Sequence, residues 1–151
     1  MTNALDLAYC AGLFDGEGCV SVSSYMTDTG RSRFHCDLVI GMQNYSALEL
    51  IKNTVETGSI NRRSDCWVYQ ASGAKAVSVA KKLLPYLRVK REAVALFIEF
   101  AATFNPHGPK PTPTDVVEKR HILSQRIRAV MKADALSFRS DVMLAELREE
   151  N

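Results

Sequence analysis

The sequence has little of what marks a zinc-binding, disulfide-bonded or membrane-spanning protein. It has four cysteines, no two of them closer than nine residues, and so no CxxC pair. This spacing predicts neither a zinc site nor a redox pair, and we expect all four thiols to be reduced and buried. No apolar run reaches about 18 residues, so no membrane span is predicted. No basic stretch followed by an apolar run opens the chain, so we expect a non-secreted protein of the cytoplasm, an organelle or a phage host's interior.

Charge is unevenly distributed along the 151 residues, although the net charge is only +2. Residues 1–30 contain four acids and no lysine or arginine, whereas residues 61–100 contain eight basic and three acidic residues, an excess of five positive charges. A basic region beside an acidic one is typical of a protein that binds a polyanion and holds a metal or catalytic site near its acids. An ordinary solvated surface fits the charges equally well.

Hydrophobic periodicity divides the chain into alternating helices and strands. We predict a first helix over about 4–14 that Gly18 ends, followed by strands at 19–25 and 31–43 around a turn at 27–30. A second helix opens with a capping box at 46–49 and stops at 57–58, and strands at 59–63 and 66–71 follow it around a turn at 64–65. The next helix runs to about 84 and is broken at Pro85, and a further helix is predicted over 88–104. Four of the five prolines lie in 105–114, and two amphipathic helices are predicted after them, at 115–133 and 137–149.

This order predicts an α+β fold, with one antiparallel sheet of two hairpins and helices on one of its faces. We expect a core domain over residues 1–104, a proline-rich connection over 105–114, and C-terminal helices over 115–151 packed on the core. The other sheet face would be open. Its predicted polar, basic and aromatic side chains are those of Ser21, Ser23, Tyr25, Arg33, His35, Asp37, Asn61, Arg63, Trp67 and Tyr69. Such side chains suit the reading of base edges in a DNA groove, and the alternative is a solvated face.

The segment CAGLFDGEG, residues 10–18, combines small residues on a helix with an acid at the helix end. Ala8, Ala11 and Gly12 form a stripe without bulky side chains, which favours close contact with another helix. Gly16 and Gly18 allow a sharp change of direction around Glu17. A carboxylate at a helix C-terminus opposes the helix dipole, which indicates a cation partner such as Mg²⁺. A solvated turn is nevertheless the commoner meaning of DGEG alone.

The stretch YCAGLFDGEGCVSV, residues 9–22, resembles the LAGLIDADG motif of homing endonucleases. Phe14 and Gly16 are common variants of that motif, Glu17 replaces its second aspartate, and Cys10 replaces its first leucine. A second segment, LLPYLRVKREAV at 83–94, resembles the family's segment in which a lysine follows a Pro-aromatic-Leu step. The order of elements is also the family's. The resemblance therefore covers about residues 5–104 and implies a homing endonuclease fold with a saddle-like sheet.

The resemblance implies a divalent metal, Mg²⁺, with Mn²⁺ and Ca²⁺ as alternatives for the same site. Glu17 matches the family's metal-coordinating acid, with the Gly16 carbonyl as a candidate second ligand. Asp15 matches the motif's first acid, which we expect to bond backbone groups.

Two further residues complete the implied catalytic site. Lys90 matches the basic residue near the scissile phosphate, where it polarises water or steadies developing charge. The family also uses a Gln or Asn just after the second strand. Gln43 is the candidate, with Asn44 as the alternative or as the cap of the next helix.

Only one copy of the motif is present, so the resemblance implies an active site shared by two chains. Ala8, Ala11 and Gly12 would form the dimer interface, and the two Glu17 carboxylates would meet at the two-fold axis. The implied function is a homodimeric, site-specific endonuclease that makes a staggered break in a long pseudo-palindromic DNA duplex, with no membrane and no small-molecule substrate.

Three alternatives stay open at the level of sequence. The sequence also fits a nucleic-acid-binding protein of the same fold that does not cleave, either an intron maturase or a regulator. A small-molecule-binding domain would need an apolar pocket motif, and none is visible. The basic residues after the prolines either hold flanking phosphates or belong to helices that only cap the core; they are Arg120, Arg126, Arg128, Lys132 and Arg139.

Overall fold

The computed structural model describes residues 3–104 and 112–149, with the backbone alone described over 135–149. The elements are α1 (Ala4–Glu17), β1 (Gly18–Met26), β2 (Ser32–Met42), α2 (Tyr45–Val55), β3 (Ser59–Arg63), β4 (Cys66–Ser72), α3 (Gly73–Leu83), a 3₁₀ turn (Leu84–Tyr86), α4 (Arg91–Ala102) and α5 (Thr114–Glu149). All strand pairs are antiparallel, and the sheet order is β1-β2-β4-β3. The predicted α+β fold is confirmed.

Strand pairing decides which side chains share a face of the sheet. Val20 pairs with Leu38 and Leu38 with Ala71, and all three are buried under the helices. Because side chains alternate along a strand, the next row, Ser21–Asp37–Ser72, points the other way. We call that second surface the open face. It consists of Cys19, Ser21, Ser23, Tyr25, Arg33, His35, Asp37, Val39, Gly41, Ser59, Asn61, Arg63, Cys66, Val68, Gln70 and Ser72.

The hydrophobic core lies between the sheet and helices α1 to α4. Phe14 of α1, Tyr69 of β4, and Phe97 and Phe100 of α4 are almost completely buried there. Burying a side chain of this size stabilises the fold by about 1.5–3 kcal/mol. The core thus holds the C-terminal end of α1 rigidly against the sheet, where the motif changes from helix to strand.

Two helix boundaries differ from the prediction. Helix α1 extends beyond the predicted end at about 14, so Gly16 and Glu17 belong to its last turn, and Gly18 ends the helix as predicted. Helix α2 begins at Tyr45, and its N-cap is Asn44, whose Oδ1 accepts a hydrogen bond from the Ala47 amide at 3.2 Å. The capping box predicted at 46–49 is therefore wrong, because an asparagine two residues earlier already satisfies the first free amides.

The C-terminal region also differs from the prediction. A single helix, α5, replaces the two helices expected at 115–133 and 137–149. It packs against α4 and β1 and buries Leu123 and Ile127. Arg128 Nη2 donates to the Val22 carbonyl of β1, an outer strand of the sheet, at 3.1 Å. Among the described helices, none is long and apolar enough to cross a membrane.

Candidate active site

Glu17 ends α1 with its side chain exposed to solvent. The next residue, Gly18, donates its backbone N–H to the Phe14 carbonyl and begins β1. A Cβ on Gly18 would collide with the Phe14 ring, so only glycine allows the strand to leave the helix this closely. Within residues 3–104 and 112–134, no hydrogen bond or ion pair engages the Glu17 carboxylate. The carboxylate is therefore available to a ligand and is held by a rigid helix end.

Asp15, two residues earlier, has a structural role. Its Oδ2 accepts the Arg88 backbone N–H at 2.8 Å, and its Oδ1 accepts the Lys90 backbone N–H at 2.9 Å. These charge-assisted bonds tie the segment before α4 to the end of α1. The expected bonding to backbone is therefore found, although the partners belong to a distant segment rather than to the helix end itself.

Lys90 is almost completely buried at the C-terminal end of α1. Its Nζ donates to the carbonyls of Phe14 at 3.1 Å and Asp15 at 2.6 Å, where a cation complements the helix dipole. Burial lowers the pKa of Lys90, and the nearby acidic groups, Asp15 first among them, oppose that effect. An ammonium has three donors, so one N–H remains beyond the two bonds to carbonyl oxygens.

Gln43 and Asn44 follow β2 at the same end of the sheet as Glu17, because Gly18 pairs with Ile40. Both side chains are exposed. The Asn44 oxygen is already engaged as the cap of α2, whereas no contact within the described part of the chain engages the Gln43 amide. Gln43 therefore has a side chain free of such contacts among the described residues, and its role beside Glu17 stays a prediction.

The open face carries eight of the ten predicted residues, and the assignment of the other two is wrong. Tyr69 is fully buried and Trp67 is half-buried on the helix side, where its ring meets Tyr45 at 5.0 Å between centroids. The reason is the two-residue turn at 64–65. It pairs Arg63 with Cys66, so odd positions of β3 share a face with even positions of β4.

The sequence-based prediction also missed residues of the open face. The same register places Cys66, Gln70 and Ser72 on one face with Asn61 and Arg63, and counting outward from the turn at 64–65 would have found them. The exposed thiol of Cys19 lies on this face too, contrary to the expectation of a buried cysteine.

Tyr25 and His35 form a stacked pair at the outer end of the open face. Their ring centroids are 5.4 Å apart, and the ring planes differ by 15°. The two residues are diagonal neighbours on β1 and β2, since Tyr25 pairs with Arg33 and His35 with Ser23. The stack fixes both rings in place with their polar atoms accessible.

The outer side of helix α1 around Ala8, Gly12 and Gly16 carries no large side chains, and we call it the bare surface of α1. Ala8 and Gly12 are exposed, and a Cβ added to Gly12 or Gly16 would meet nothing within 4 Å. Leu5 and Tyr9 flank this surface, with 75% and 52% of their area exposed. Ala11 is fully buried, so its assignment to the dimer interface is wrong: its side chain packs in the core, whereas Ala8 and Gly12 are exposed. Positions 8 and 11 are three residues apart and lie close together on the helix surface, so the period of the sequence alone does not separate them.

The oxygen atoms at the end of α1 fit Mg²⁺ whose remaining ligands come from water and substrate phosphates. Within the described residues, no group of three or more His, Cys, Asp or Glu side chains gathers around one point. Mg²⁺, however, takes one or two carboxylates and completes its shell with water and substrate phosphates. The free Glu17 carboxylate and the Gly16 carbonyl, one of the last four of α1, are oxygen donors of this kind.

The basic residues of α5 differ in how far their side chains are exposed to solvent. Arg120 is buried, where its Nη2 and Nε donate to the Thr103 carbonyl at 2.7 Å and the Thr103 hydroxyl at 3.0 Å. Arg120 thus caps the end of α4 and has no free face for a phosphate. Arg126 and Lys132 are exposed, and Arg139 lies among the residues whose side chains are not described.

Comparison with known proteins bears on the fold and on the family. No curated protein matches the chain. Among solved structures, I-CvuI in complex with a DNA target and Mg, uncleaved, is similar at 19% identity over 83% of this chain and 82% of that one, with a TM-score of 0.73. The archaeal intron-encoded I-Vdi141I, complexed with DNA, is 20% identical over 83% and 84%, with a TM-score of 0.72. A family model described as LAGLIDADG endonuclease matches residues 10–92, more than half of the sequence. The chain belongs to the LAGLIDADG endonuclease family.

Proposed function

We propose that this endonuclease cuts both strands of a long, pseudo-palindromic DNA duplex as a homodimer with a divalent metal, Mg²⁺ above all. The observation that carries the proposal is the free Glu17 carboxylate on a rigid helix end, between a bare helix surface and the open face. Two proteins of similar fold, 19% and 20% identical to this chain, have been solved in complex with DNA, which supports DNA as the substrate.

The open face suits the major groove of a duplex. Four strands about 4.8 Å apart are about 14 Å wide between the outer strands, close to the groove width of about 12 Å. The side chains available to base edges include donors and acceptors on each strand, such as Ser21, Arg33, Gln70 and Asn61. The guanidinium groups of Arg33 and Arg63 are suited to guanine, which accepts two hydrogen bonds from arginine.

The bare surface of α1 suits a second copy of the same helix. Without side chains at Gly12 and Gly16, two backbones can approach closely, and Leu5 and Tyr9 would be covered at the edges of the contact. A two-fold axis along this contact would bring one Glu17 from each chain to the middle of the target. Each chain would then provide the cutting group for one DNA strand.

Near the scissile phosphate, Glu17 and the Gly16 carbonyl would hold the metal, which when bound would stabilise negative charge on the phosphate oxygens. Lys90 would hold its remaining N–H toward this region, with Nζ fixed by Phe14 and Asp15. Gln43 would orient water through its free amide. These roles rest on the chain's own geometry: one free carboxylate, one buried ammonium and one free amide at the same end of the sheet.

A cleavage assay with Glu17→Gln tests the proposal. The wild type and the variant are each incubated with Mg²⁺ and a library of candidate target duplexes, and the wild type should cut one of them. The cleavage rate of the variant should be at least about a hundredfold lower, because metal stabilisation of charge is worth several kcal/mol. Binding of the same duplex should persist. Asp28→Asn is the matched control, since Asp28 is an exposed acid in the turn at 27–30. Tight binding without cutting by the wild type would instead favour a cleavage-inactive DNA-binding protein.

A further inference from the structure

Two open cavities adjoin each other at the edge of the sheet formed by β3. The first, of about 460 Å³, is lined by Gly58, Ser59, Gln70, Ala71, Ser72, Ala74 and Lys75. The second, of about 650 Å³, is lined by Lys52, Asn53, Glu56, Thr57, Gly58 and Lys75. Because Gly58 and Lys75 line both, the two cavities form one continuous groove, which we call the edge groove.

The edge groove is polar and positively charged. Glu56, its acid, is paired with Lys82 at 3.2 Å, so its charge is largely compensated. Lys52 and Lys75 are exposed, and within the described part of the chain neither has a carboxylate at salt-bridge distance. Two unpaired ammonium groups beside hydroxyl and amide groups are suited to an anion with several oxygens, such as a phosphodiester.

The groove is continuous with the open face. Ser59, Gln70 and Ser72 belong to both surfaces, and Ser59 pairs with Gln70 across β3 and β4. The opposite edge of the sheet, at β1, is engaged by α5 through Arg128. A sheet about 14 Å wide fills a major groove of about 12 Å, so its outer strand lies at the rim, where the phosphates are.

The floor of the edge groove is rigid. Gly58 has a φ of +90°, and a Cβ there would lie 2.5 Å from the Tyr69 ring. The buried Tyr69 hydroxyl in turn donates to the Thr57 carbonyl at 3.1 Å. The backbone under the two lysines is therefore fixed by the core.

We propose that the edge groove binds a backbone phosphate of the DNA duplex that lies on the open face, with Lys75 as the central contact and Lys52 beside it. The inference rests on the proposed function, since it names a second contact surface for the same duplex. A phosphate contact is independent of base sequence, and it fixes where the duplex leaves the sheet.

Salt dependence of binding tests this assignment. A Glu17→Gln background keeps the DNA uncut, and a pool of random-sequence duplexes makes the unknown target unnecessary. In that background Lys75→Gln should make the negative slope of log affinity against log salt less steep by about 0.9 per protomer, or about 1.8 for a dimer. Lys75→Arg should restore the slope. Lys81→Gln, the same change at an exposed position of the same helix outside the groove, should leave it unchanged.

The possible results separate the inference from the proposed function. Equal slopes for Lys75→Gln and Lys81→Gln, both unfolding at the parent's temperature, would overturn the edge groove while leaving DNA binding in place. A change of sequence preference in Lys75→Gln would also overturn it, because a phosphate contact weakens all sequences alike. Failure of the parent protein to bind any duplex would overturn the proposed function itself.

Discussion

Asp15 and Glu17 lie two residues apart in the last turn of α1, and their surroundings differ completely. Asp15 accepts two backbone hydrogen bonds, whereas Glu17 projects into solvent. Asp15 therefore supports the fold, and Glu17 is the carboxylate proposed to take part in the chemistry. Lys90 is held to the same turn twice, by its backbone N–H at the Asp15 carboxylate and by its Nζ at the Phe14 and Asp15 carbonyls.

Asp15→Ala should destabilise the fold by about 2 kcal/mol, because the amides of Arg88 and Lys90 would lose their acceptor. Urea denaturation followed by circular dichroism measures the difference. Asp28→Ala removes an exposed carboxylate in a turn and should change the free energy of unfolding by less than about 0.5 kcal/mol. Equal effects of the two substitutions would contradict the supporting role of Asp15.

The lowered pKa of Lys90 makes the free energy of unfolding depend on pH. Its pKa is lowered by burial, while in the unfolded chain a lysine titrates near about 10.4. Between these two values the unfolded chain binds more protons than the folded one, so Lys90 makes stability rise with pH through that window. The free energy of unfolding of the wild type should therefore gain on that of Lys90→Met as pH approaches about 10.4, by at most about 1.4 kcal/mol per pH unit. A constant difference between the two proteins would contradict the lowered pKa.

At the scale of elements, the junction between α4 and α5 depends on one buried arginine. The Arg120 guanidinium also lies over the Phe104 ring, 4.4 Å from its centroid. Its two hydrogen bonds to Thr103 satisfy a helix end that would otherwise lack partners. This contact, with the burial of Leu123 and Ile127, fixes α5 on the core.

Arg120→Met should reduce the free energy of unfolding by about 1–3 kcal/mol, because it leaves a buried carbonyl without its charged donor. Arg126→Met, at an exposed position of the same helix, is the matched control and should have an effect below about 0.5 kcal/mol. Denaturant titration compares them. If Arg126→Met were as costly as Arg120→Met, the capping role of Arg120 would be wrong.

At the scale of the whole molecule, we propose that one chain provides half of the active site. The bare surface of α1 and the free Glu17 carboxylate lie together, and the open face extends away from them. A dimer would complete both the metal ligands and the length of DNA that is read. Self-association through α1 is therefore the event on which double-strand cleavage is proposed to depend.

Gly12→Leu should produce a folded monomer. In the single chain a side chain at Gly12 meets nothing within 4 Å, so the fold should be kept, whereas a leucine would hold two α1 helices apart. Sedimentation gives the mass, and circular dichroism checks the fold. Ser78→Leu adds the same side chain to an exposed position of α3 and should leave the protein dimeric. A dimeric Gly12→Leu protein with full cleavage would contradict the α1 interface.

Sequence by itself determined the order of elements, the motif at the end of α1, and the segment that carries Lys90. These depend on local periods, on glycine and proline, and on short motifs, all of which are read within a few neighbouring residues. Glu17 is the clearest case, since its position between two glycines already indicated a helix end. Even the face of Trp67 and Tyr69 was within reach, because the turn at 64–65 fixes the register.

Only the tertiary structure decided which side of α1 faces the core, that Asn44 caps α2, and that one helix follows the prolines. It alone showed that Lys90 is bonded to the carbonyls of Phe14 and Asp15, more than 70 residues away in the sequence. The physical reason is that burial and hydrogen bonding between distant segments depend on how the elements pack, and packing is a property of the whole chain rather than of any window within it.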